Sequence, residues 1–188
     1  MSTRHFRQTY GYFEARLRYA RSTGLEDIFR LTSDRPRGPG STEIAVNEGS
    51  YPSHIGHPIR RNGHVVEAHK ATLPDLDLSA DYHLFGLAWL PDGKGGANVT
   101  WYLDGRPVHT ASCHDCNRPL GLSLGTEVRT WDGPFAPVPD GAALDVDYVQ
   151  VYQLRSLATV QSVTVAPPPH RNHGKAHTPV ADADWTSP

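Results

Sequence analysis

Sulfur-containing residues and long apolar runs are scarce in this sequence. The 188 residues include two cysteines and one methionine, and both cysteines lie in the segment Cys113-His-Asp-Cys116. Because a structural zinc site needs four ligands, this single C-x-x-C predicts a local disulfide or two free thiols, and no metal site. No apolar stretch approaches the about 20 residues that a membrane-spanning helix needs, so no membrane segment is expected.

Charge of one sign is also lacking. The chain has 18 Lys and Arg against 20 Asp and Glu, which gives a formal net charge of -2. Since nucleic acids and anionic membranes attract basic surfaces, neither is expected as a partner. Residues 1–8 lead directly into a strand pattern and lack the basic and apolar parts of a secretory signal. They predict a chain that is not exported, unless its beginning is missing.

Alternating patterns typical of β-strands are abundant. Residues 10–20 place Phe13, Ala15, Leu17 and Tyr19 on one side, which predicts a half-buried strand of an antiparallel sheet. No segment has the pattern of an amphipathic helix of three turns. Eight or more short strands separated by turn signals predict an all-β protein, a sandwich or jelly roll.

The length is typical of a single domain. Strand patterns end near residue 156, so we predict one β-sandwich domain over residues 1–156. Residues 157–188 are polar and carry several prolines and histidines. They contain too little apolar surface to order themselves and are predicted to form a disordered tail, with Trp185 in solvent.

Two carboxylic acids stand out in the short segment Thr42-Glu-Ile-Ala-Val-Asn-Glu-Gly49. In a regular strand Glu43 and Glu48 would point to opposite faces, but one bulged residue would turn both, with Ala45, to the same face. Two carboxyls on one cleft wall suit glycoside hydrolysis, with retention at about 5 to 5.5 Å and inversion at about 6.5 to 9.5 Å. The alternative is a pair of solvent-facing charges at the strand's ends.

Several separate segments, in the right order along the chain, resemble glycoside hydrolase family 16. They are Tyr10-Gly-Tyr-Phe-Glu-Ala-Arg-Leu17, Glu43-Ile-Ala-Val-Asn-Glu48, Tyr82-His-Leu-Phe-Gly-Leu-Ala-Trp89 with Val99-Thr-Trp-Tyr-Leu-Asp-Gly105, and Asp145-Val-Asp-Tyr-Val-Gln-Val-Tyr-Gln153. The second resembles the family's catalytic signature in the variant that carries a bulge. The resemblance implies a concanavalin A-like β-jelly roll that cuts β-linked glucans or marine galactans.

Roles for individual residues follow from this resemblance. Glu43 would be the nucleophile, and Glu48 would protonate the leaving oxygen and then activate water. Ala45 stands where the family has an aspartate that hydrogen-bonds the nucleophile and helps to hold the two glutamates in different protonation states. An alanine methyl can do neither, so the resemblance also implies an impaired site.

Other positions depart from the family's pattern. Glu26 and Arg30 stand where the family usually has tryptophans, and Ala88 stands in place of a glutamate. With Arg30 in place of an aromatic ring, the site would lose a surface on which a sugar stacks. The guanidinium group could instead bind a sulfate or carboxylate on an acidic polysaccharide. The family's opening strands, which normally precede residue 10, are absent, so the jelly roll is expected to be incomplete at its N-terminus.

Within the family, the chain is most similar to the β-agarases and porphyranases. Asn62-Gly-His64 resembles their Asn-x-His, and Glu127 and Trp131 resemble their glutamate and tryptophan spaced by four. Trp131 would stack on a sugar ring and Glu127 would accept hydrogen bonds from hydroxyls. Each has a structural alternative: a core or rim aromatic for Trp131, a structural histidine for His64 and a solvated charge for Glu127.

The expected function is therefore an endo-acting β-glycosidase that retains configuration, with an agar- or porphyran-type galactan as the first substrate candidate and a β-glucan as the next. A catalytically impaired carbohydrate-binding relic is the alternative, and a sandwich used for protein contacts has no support beyond the fold. The resemblance implies a secreted monomer that needs no cofactor for the reaction. It also implies a structural calcium ion, for which the sequence identifies no ligands.

Overall fold

The computed structural model describes residues 6–35, 37–129, 137–154 and 185–186. Regular secondary structure in these residues consists of β-strands, as the alternating patterns predicted. The strands are β1 (Gly11–Arg18), β2 (Leu25–Thr32), β3 (Thr42–Gly49), β4 (His54–Gly56), β5 (Ile59–Arg61), β6 (His64–Glu67), β7 (Lys70–Thr72), β8 (His83–Pro91), β9 (Ala97–Leu103), β10 (Arg106–Cys113), β11 (Gly121–Val128), β12 (Asp145–Leu154) and β13 (Trp185–Thr186).

The strands form two large antiparallel sheets and one small one. The six-stranded sheet has the order β10-β9-β8-β1-β12-β13, and the five-stranded sheet has the order β11-β2-β3-β5-β6. Strands β4 and β7 pair separately beside β3. This confirms the antiparallel β-sandwich of the jelly-roll type.

The hydrophobic core lies between the two large sheets. Inward-facing side chains from both sheets join one cluster, among them Phe13 and Leu17 from β1, Phe29 and Leu31 from β2, and Trp101 from β9. Each fully buried side chain of this kind contributes about 1.5 to 3 kcal/mol. The core therefore holds β2 and β3 rigidly, and the outer face of these two strands is free to carry a site.

Strand β1 is buried more completely than predicted. Its inward side chains are buried as expected. Tyr12 and Glu14 alternate onto the other side, which a half-buried strand exposes, yet they are 0% and 1% exposed. Tyr12 packs with Ala88, Tyr102 and Tyr152 in a second, smaller cluster, and its hydroxyl donates to Glu14 Oε2 at 3.0 Å. The prediction of a half-buried strand is wrong here because the neighbouring strands supply aromatic side chains to both faces.

The predicted tail lies mostly outside the described residues. Within it, Trp185 and Thr186 pair with Leu154 and Gln153 and extend the six-stranded sheet. The last residues of β12 would otherwise form a sheet edge, where unpaired backbone groups accept another strand.

Cys113 and Cys116 form a disulfide with a Cα–Cα distance of 5.5 Å. This is one of the two states that the sequence left open. Both residues are buried, and the indole of Trp89 donates to the carbonyl oxygen of Cys116 at 3.0 Å. The disulfide therefore closes a turn that packs on the core.

Candidate active site

The site is built on a β-bulge in β3. Phe29 of β2 pairs with Asn47 and Arg30 pairs with Ala45, which leaves Val46 without a partner in the ladder. Val46 and Asn47 are both buried, because two successive side chains turn inward at the bulge. The predicted bulge is confirmed, and it shifts the alternation of the strand between its two glutamates.

Buried hydrogen bonds fix the shape of the bulge. The Asn47 amide donates to the carbonyl oxygen of Asp27 at 3.1 Å and accepts from the Tyr19 hydroxyl at 2.8 Å. On the other side, the indole of Trp101 donates to the carbonyl oxygen of Ala45 at 2.7 Å. Because buried polar groups are costly to leave unpaired, these contacts hold the backbone from residue 45 to residue 47 in one conformation.

Glu43 and Glu48 converge on a single side chain of the neighbouring strand. Arg60 of β5 lies directly across from Glu43, and its Nη1 donates to Glu43 Oε1 at 2.7 Å and also to Glu48 Oε1. Two oxygens that contact the same nitrogen lie within the sum of the two contacts. The two carboxyls therefore face the same point of the cleft.

The arginine also determines the charge of the site. Its Nη2 donates to Glu48 Oε2 at 2.7 Å, so Glu48 is bound by both nitrogens. Hydrogen bonding to Glu48 and then to Glu43 raises the pKa of Arg60 above its ordinary value, against the opposing effect of burial. Such a bidentate pair is typical of an ionised carboxylate, and in this site Glu48 forms it while Glu43 accepts a single bond.

A second arginine extends the network. Arg30 Nη1 lies 3.6 Å from Glu43 Oε2 and 3.9 Å from Glu48 Oε1, and its Nη2 lies 2.6 Å from Glu127 Oε1. Arg30 and Glu127, both predicted to bind substrate, therefore lie in the cleft with Glu43 and Glu48. At the centre of the network, the fully buried Ala45 faces Arg30 across the ladder. Arg30 thus faces the position where the family resemblance implies a third carboxylate.

Asn62 and His64 are not brought to the carboxyl pair. Asn62 (φ 52°) and Gly63 (φ 80°) form the turn between β5 and β6, and Asn62 Oδ1 accepts from the backbone N–H of Gly40 at 2.7 Å. His64 is exposed and pairs with Arg61, whose side chain lies on the opposite face from that of Arg60. The Asn-Gly pair is explained by the tight turn, which requires positive φ. Trp131 lies outside the described residues.

Glu26 is a cleft residue that the sequence reasoning did not select. From the family resemblance, Glu26 is known only as the replacement of an aromatic residue. Alternation along β2 puts it on the same face as Arg30, and it lies directly across from Glu127. Burial raises its pKa to about 7, with further contributions from Glu48 and Glu127. Alternation along β2 could have predicted that Glu26 faces the cleft. Its raised pKa could not be predicted, because it depends on burial and on acids from two other strands.

The cleft beside these residues has a volume of about 570 Å³. An adjoining recess of about 190 Å³ shares Glu26, Glu48, Gly56 and Lys70 with it. Four acidic and four basic side chains line the main cleft: Glu26, Glu43, Glu48 and Glu127 with Arg30, Arg37, Arg60 and Lys70. The cleft is open to solvent at the surface of the five-stranded sheet and is large enough for sugar rings.

A stack of three histidines lies behind the bulge. The ring centroids of His57 and His69 are 5.4 Å apart and those of His69 and His109 are 4.4 Å apart, with Trp101 packed against both ends. His57 Nδ1 contacts the carbonyl oxygen of Val46 at 3.1 Å. Burial, opposed by this hydrogen bond, lowers the pKa of His57 to about 3. No sequence signal indicated this stack, because its members come from three separate strand connections or strands.

The described residues contain no group of three or more His, Cys, Asp or Glu side chains placed to hold a metal ion. No ligands can therefore be assigned to the structural calcium that the family resemblance implies. The same residues contain no helix long and apolar enough to cross a membrane.

Comparisons with known proteins agree with this geometry. The chain is 24% identical over 151 residues to the endo-1,3-1,4-beta-glycanase EglC of Rhizobium meliloti, covering 79% of this chain and 31% of that protein. It is 28% identical over 135 residues to a beta-glucanase of Bacillus amyloliquefaciens, covering 68% of this chain and 54% of that protein. The chain thus spans less than two thirds of the length of these relatives.

Solved structures show the same fold. The laminarinase catalytic domain of Thermotoga maritima has a TM-score of 0.65 at 22% identity, covering 79% of this chain and 65% of that one. The kappa-carrageenase of Pseudoalteromonas carrageenovora has a TM-score of 0.62 at 23% identity, covering 80% and 66%. The model of the glycosyl hydrolases family 16 matches residues 1–149. With the bulged strand and its paired glutamates, this match shows that the chain belongs to glycosyl hydrolases family 16.

Proposed function

We propose that the protein hydrolyses glycosidic bonds in a β-linked polysaccharide by retaining double displacement, with Glu43 as nucleophile and Glu48 as acid and base. The observation that carries the proposal is the contact of both carboxyls with one nitrogen of Arg60. Two carboxyls this close leave no room for the water molecule that an inverting enzyme holds between its general base and the sugar.

The reaction proceeds in two steps. A Glu43 oxygen attacks the anomeric carbon, the bond to the leaving oxygen breaks, and that oxygen takes a proton from Glu48. Water then attacks the anomeric carbon of the glycosyl-enzyme, gives its proton to Glu48 and releases Glu43. Both steps require the sugar to enter the space between the two carboxyls, so Arg60 Nη1 must withdraw from it when substrate binds.

The polymer is the finer part of the proposal. An agar- or porphyran-type galactan is the first candidate because Asn62-Gly-His64 and the pair Glu127 and Trp131 resemble motifs of enzymes of that type. A β-glucan is the next, and it is supported by the beta-glucanases among the relatives. Arg30 at the cleft wall favours a chain that carries anionic groups, although its nearest partner here is Glu127.

A polysaccharide panel tests this proposal. Purified protein is incubated with agarose, porphyran, kappa-carrageenan, laminarin and lichenan, and new reducing ends are measured, with the double variant Glu43→Gln/Glu48→Gln as blank. We expect hydrolysis of at least one polymer, and early products whose NMR spectrum shows the β-anomer. Products that appear first as the α-anomer would contradict the retaining mechanism, and no hydrolysis above the blank would contradict the assignment as a hydrolase.

A carbohydrate-binding protein with impaired turnover is the second candidate. It is favoured by the guanidinium group of Arg60 between the two glutamates and by the alanine at position 45. In this case the cleft binds oligosaccharides, but the acid has lost its proton and the nucleophile has lost its supporting carboxylate.

The variant Ala45→Asp separates the two candidates. A carboxyl at position 45 would lie across from Arg30 and would draw this cation away from Glu43. If the site is impaired through residue 45, we expect the hydrolysis rate to rise about tenfold or more, with oligosaccharide affinity changed little. Ala45→Asn is the matched control, since it has the same shape without the charge. If Ala45→Asp and Ala45→Asn changed the hydrolysis rate equally, the missing carboxylate at position 45 would not be the cause of an impaired site.

A further inference from the structure

Glu26 is the acid of the cleft that the proposed reaction leaves unused. Its half-buried side chain lines both the main cleft and the adjoining recess, and it shares both walls with Glu48. Ile28, two residues along the same face of β2, pairs directly with Glu48. The side chains of residues 26 and 48 are therefore diagonal neighbours across two adjacent strands, within reach of long side chains.

Glu26 differs from the other acids of the cleft in its direct contacts. Within the described part of the chain it makes no hydrogen bond and no ion pair, whereas Glu43, Glu48 and Glu127 are each paired with an arginine. Charged groups face it from all sides of the cleft: Glu48 from β3, Glu127 from β11, Arg60 from β5, Lys70 from β7, and Arg129. The two acids and burial outweigh the cations and favour the neutral form.

Glu48 is in the opposite state. Both of its oxygens accept hydrogen bonds from Arg60, so this carboxyl has no proton to give in the resting cleft. A retaining glycosidase nevertheless needs a protonated acid when the glycosidic bond breaks. The acid on the same cleft wall that makes no ion pair in the described part of the chain is Glu26.

We propose that Glu26 stores the catalytic proton in the resting site and transfers it to Glu48 when substrate displaces Arg60. This inference rests on the proposed hydrolysis. In the first step the O–H bond of Glu26 breaks, directly or through one water molecule, and the proton binds Glu48. Glu26 is left ionised, and the total charge of the two carboxyls is unchanged. Glu48 then protonates the leaving oxygen, so Glu26 is a positioning residue that acts through Glu48.

The stored proton can be detected without substrate. 13C NMR of glutamate-labelled protein follows each carboxyl through a pH titration, and the variant Glu26→Gln identifies the Glu26 signal by its loss. We expect this carboxyl to titrate near pH 7. Asp147→Asn, which removes an exposed carboxyl from the opposite sheet, should leave the signal in place. A Glu26 carboxyl that is ionised throughout the neutral range would overturn the proposal.

The catalytic consequence is measured on the polymer that the panel identifies. In Glu26→Gln we expect kcat to fall about tenfold, which is less than the 10²–10⁴-fold loss expected for an acid that acts directly. KM should change little, and the basic limb of the pH profile near 7 should be lost. Glu26→Asp should restore this limb. An unaltered pH profile in Glu26→Gln would overturn the proposal. An inactive wild-type chain would overturn the proposed function instead, while the titration still decides where the proton resides.

Discussion

Replacing Glu43 with glutamine is expected to lower the rate of polysaccharide hydrolysis by at least about 10³-fold. The amide has the shape of the carboxyl but cannot attack an anomeric carbon, so the covalent intermediate does not form. The amide can still contact Arg60 and Arg30, which surround Glu43 in the wild type. The folded structure, measured by thermal unfolding, should therefore change little.

Azide distinguishes the roles of the two glutamates. With an activated aryl glycoside, Glu43→Gly leaves space for azide to attack from the nucleophile's side, and the product should be the inverted glycosyl azide. Glu48→Ala should instead form the glycosyl-enzyme normally, and azide should then give the retained product. If both variants gave the same anomer, the assignment of separate roles to Glu43 and Glu48 would be wrong.

A second large effect is expected in how the free energy of unfolding depends on pH. His57 is 2% exposed, and burial lowers its pKa to about 3. In the unfolded chain this histidine binds a proton below about pH 6.5, whereas in the folded protein it stays neutral. The contribution of His57 to the free energy of unfolding is therefore complete above about pH 6.5 and is lost as the pH falls towards 3. Between pH 7 and 5 this loss is about 2 kcal/mol.

Asp27 acts in the opposite direction. It is 1% exposed, and burial raises its pKa to about 7, despite a hydrogen bond from the Ala20 N–H that favours the charged form. The contribution of Asp27 to the free energy of unfolding is complete below about pH 3.9, which is the pKa in the unfolded chain. It is lost as the pH rises from there through 7. Between pH 5 and 7 this loss is also about 2 kcal/mol, so the two residues nearly cancel in the wild-type protein.

Urea unfolding at pH 5, 6 and 7 of the variants His57→Gln and Asp27→Asn tests this pair. Relative to wild type, His57→Gln should gain about 2 kcal/mol of stability between pH 7 and 5, and Asp27→Asn should lose about as much over the same interval. His64→Gln, which changes an exposed histidine, should follow the wild-type dependence. Parallel pH dependences in all four proteins would show that neither buried group titrates as the structure indicates.

Several features could be predicted from local patterns. Period-two alternation identified the inward side of β1 and the β-sandwich, and the pair Asp104-Gly105 predicted the turn between β9 and β10, where both residues have positive φ. The bulge was also predictable. Glu43 and Glu48 are five residues apart, and only an extra residue between them allows a strand to present both on one face.

The charge of the site could not be predicted in this way. Arg60 lies 12 residues beyond Glu48 in a segment that reads as an irregular loop, and only the pairing of β5 with β3 brings it between the two glutamates. Glu26 meets Glu127 across 101 positions of sequence through the β11–β2 ladder. Asn62 is the opposite case. Its motif suggested sugar binding, but the tight turn between β5 and β6 accounts for an asparagine at this position.

The sequence by itself determined the sandwich, the bulged strand and the two glutamates on its outer face, because these depend on alternation and spacing within single segments. Only the tertiary structure decided which charged groups face these acids in the cleft. Protonation depends on burial and on charges within a few ångströms, and here those charges come from strands that are adjacent in the sheet but distant along the chain.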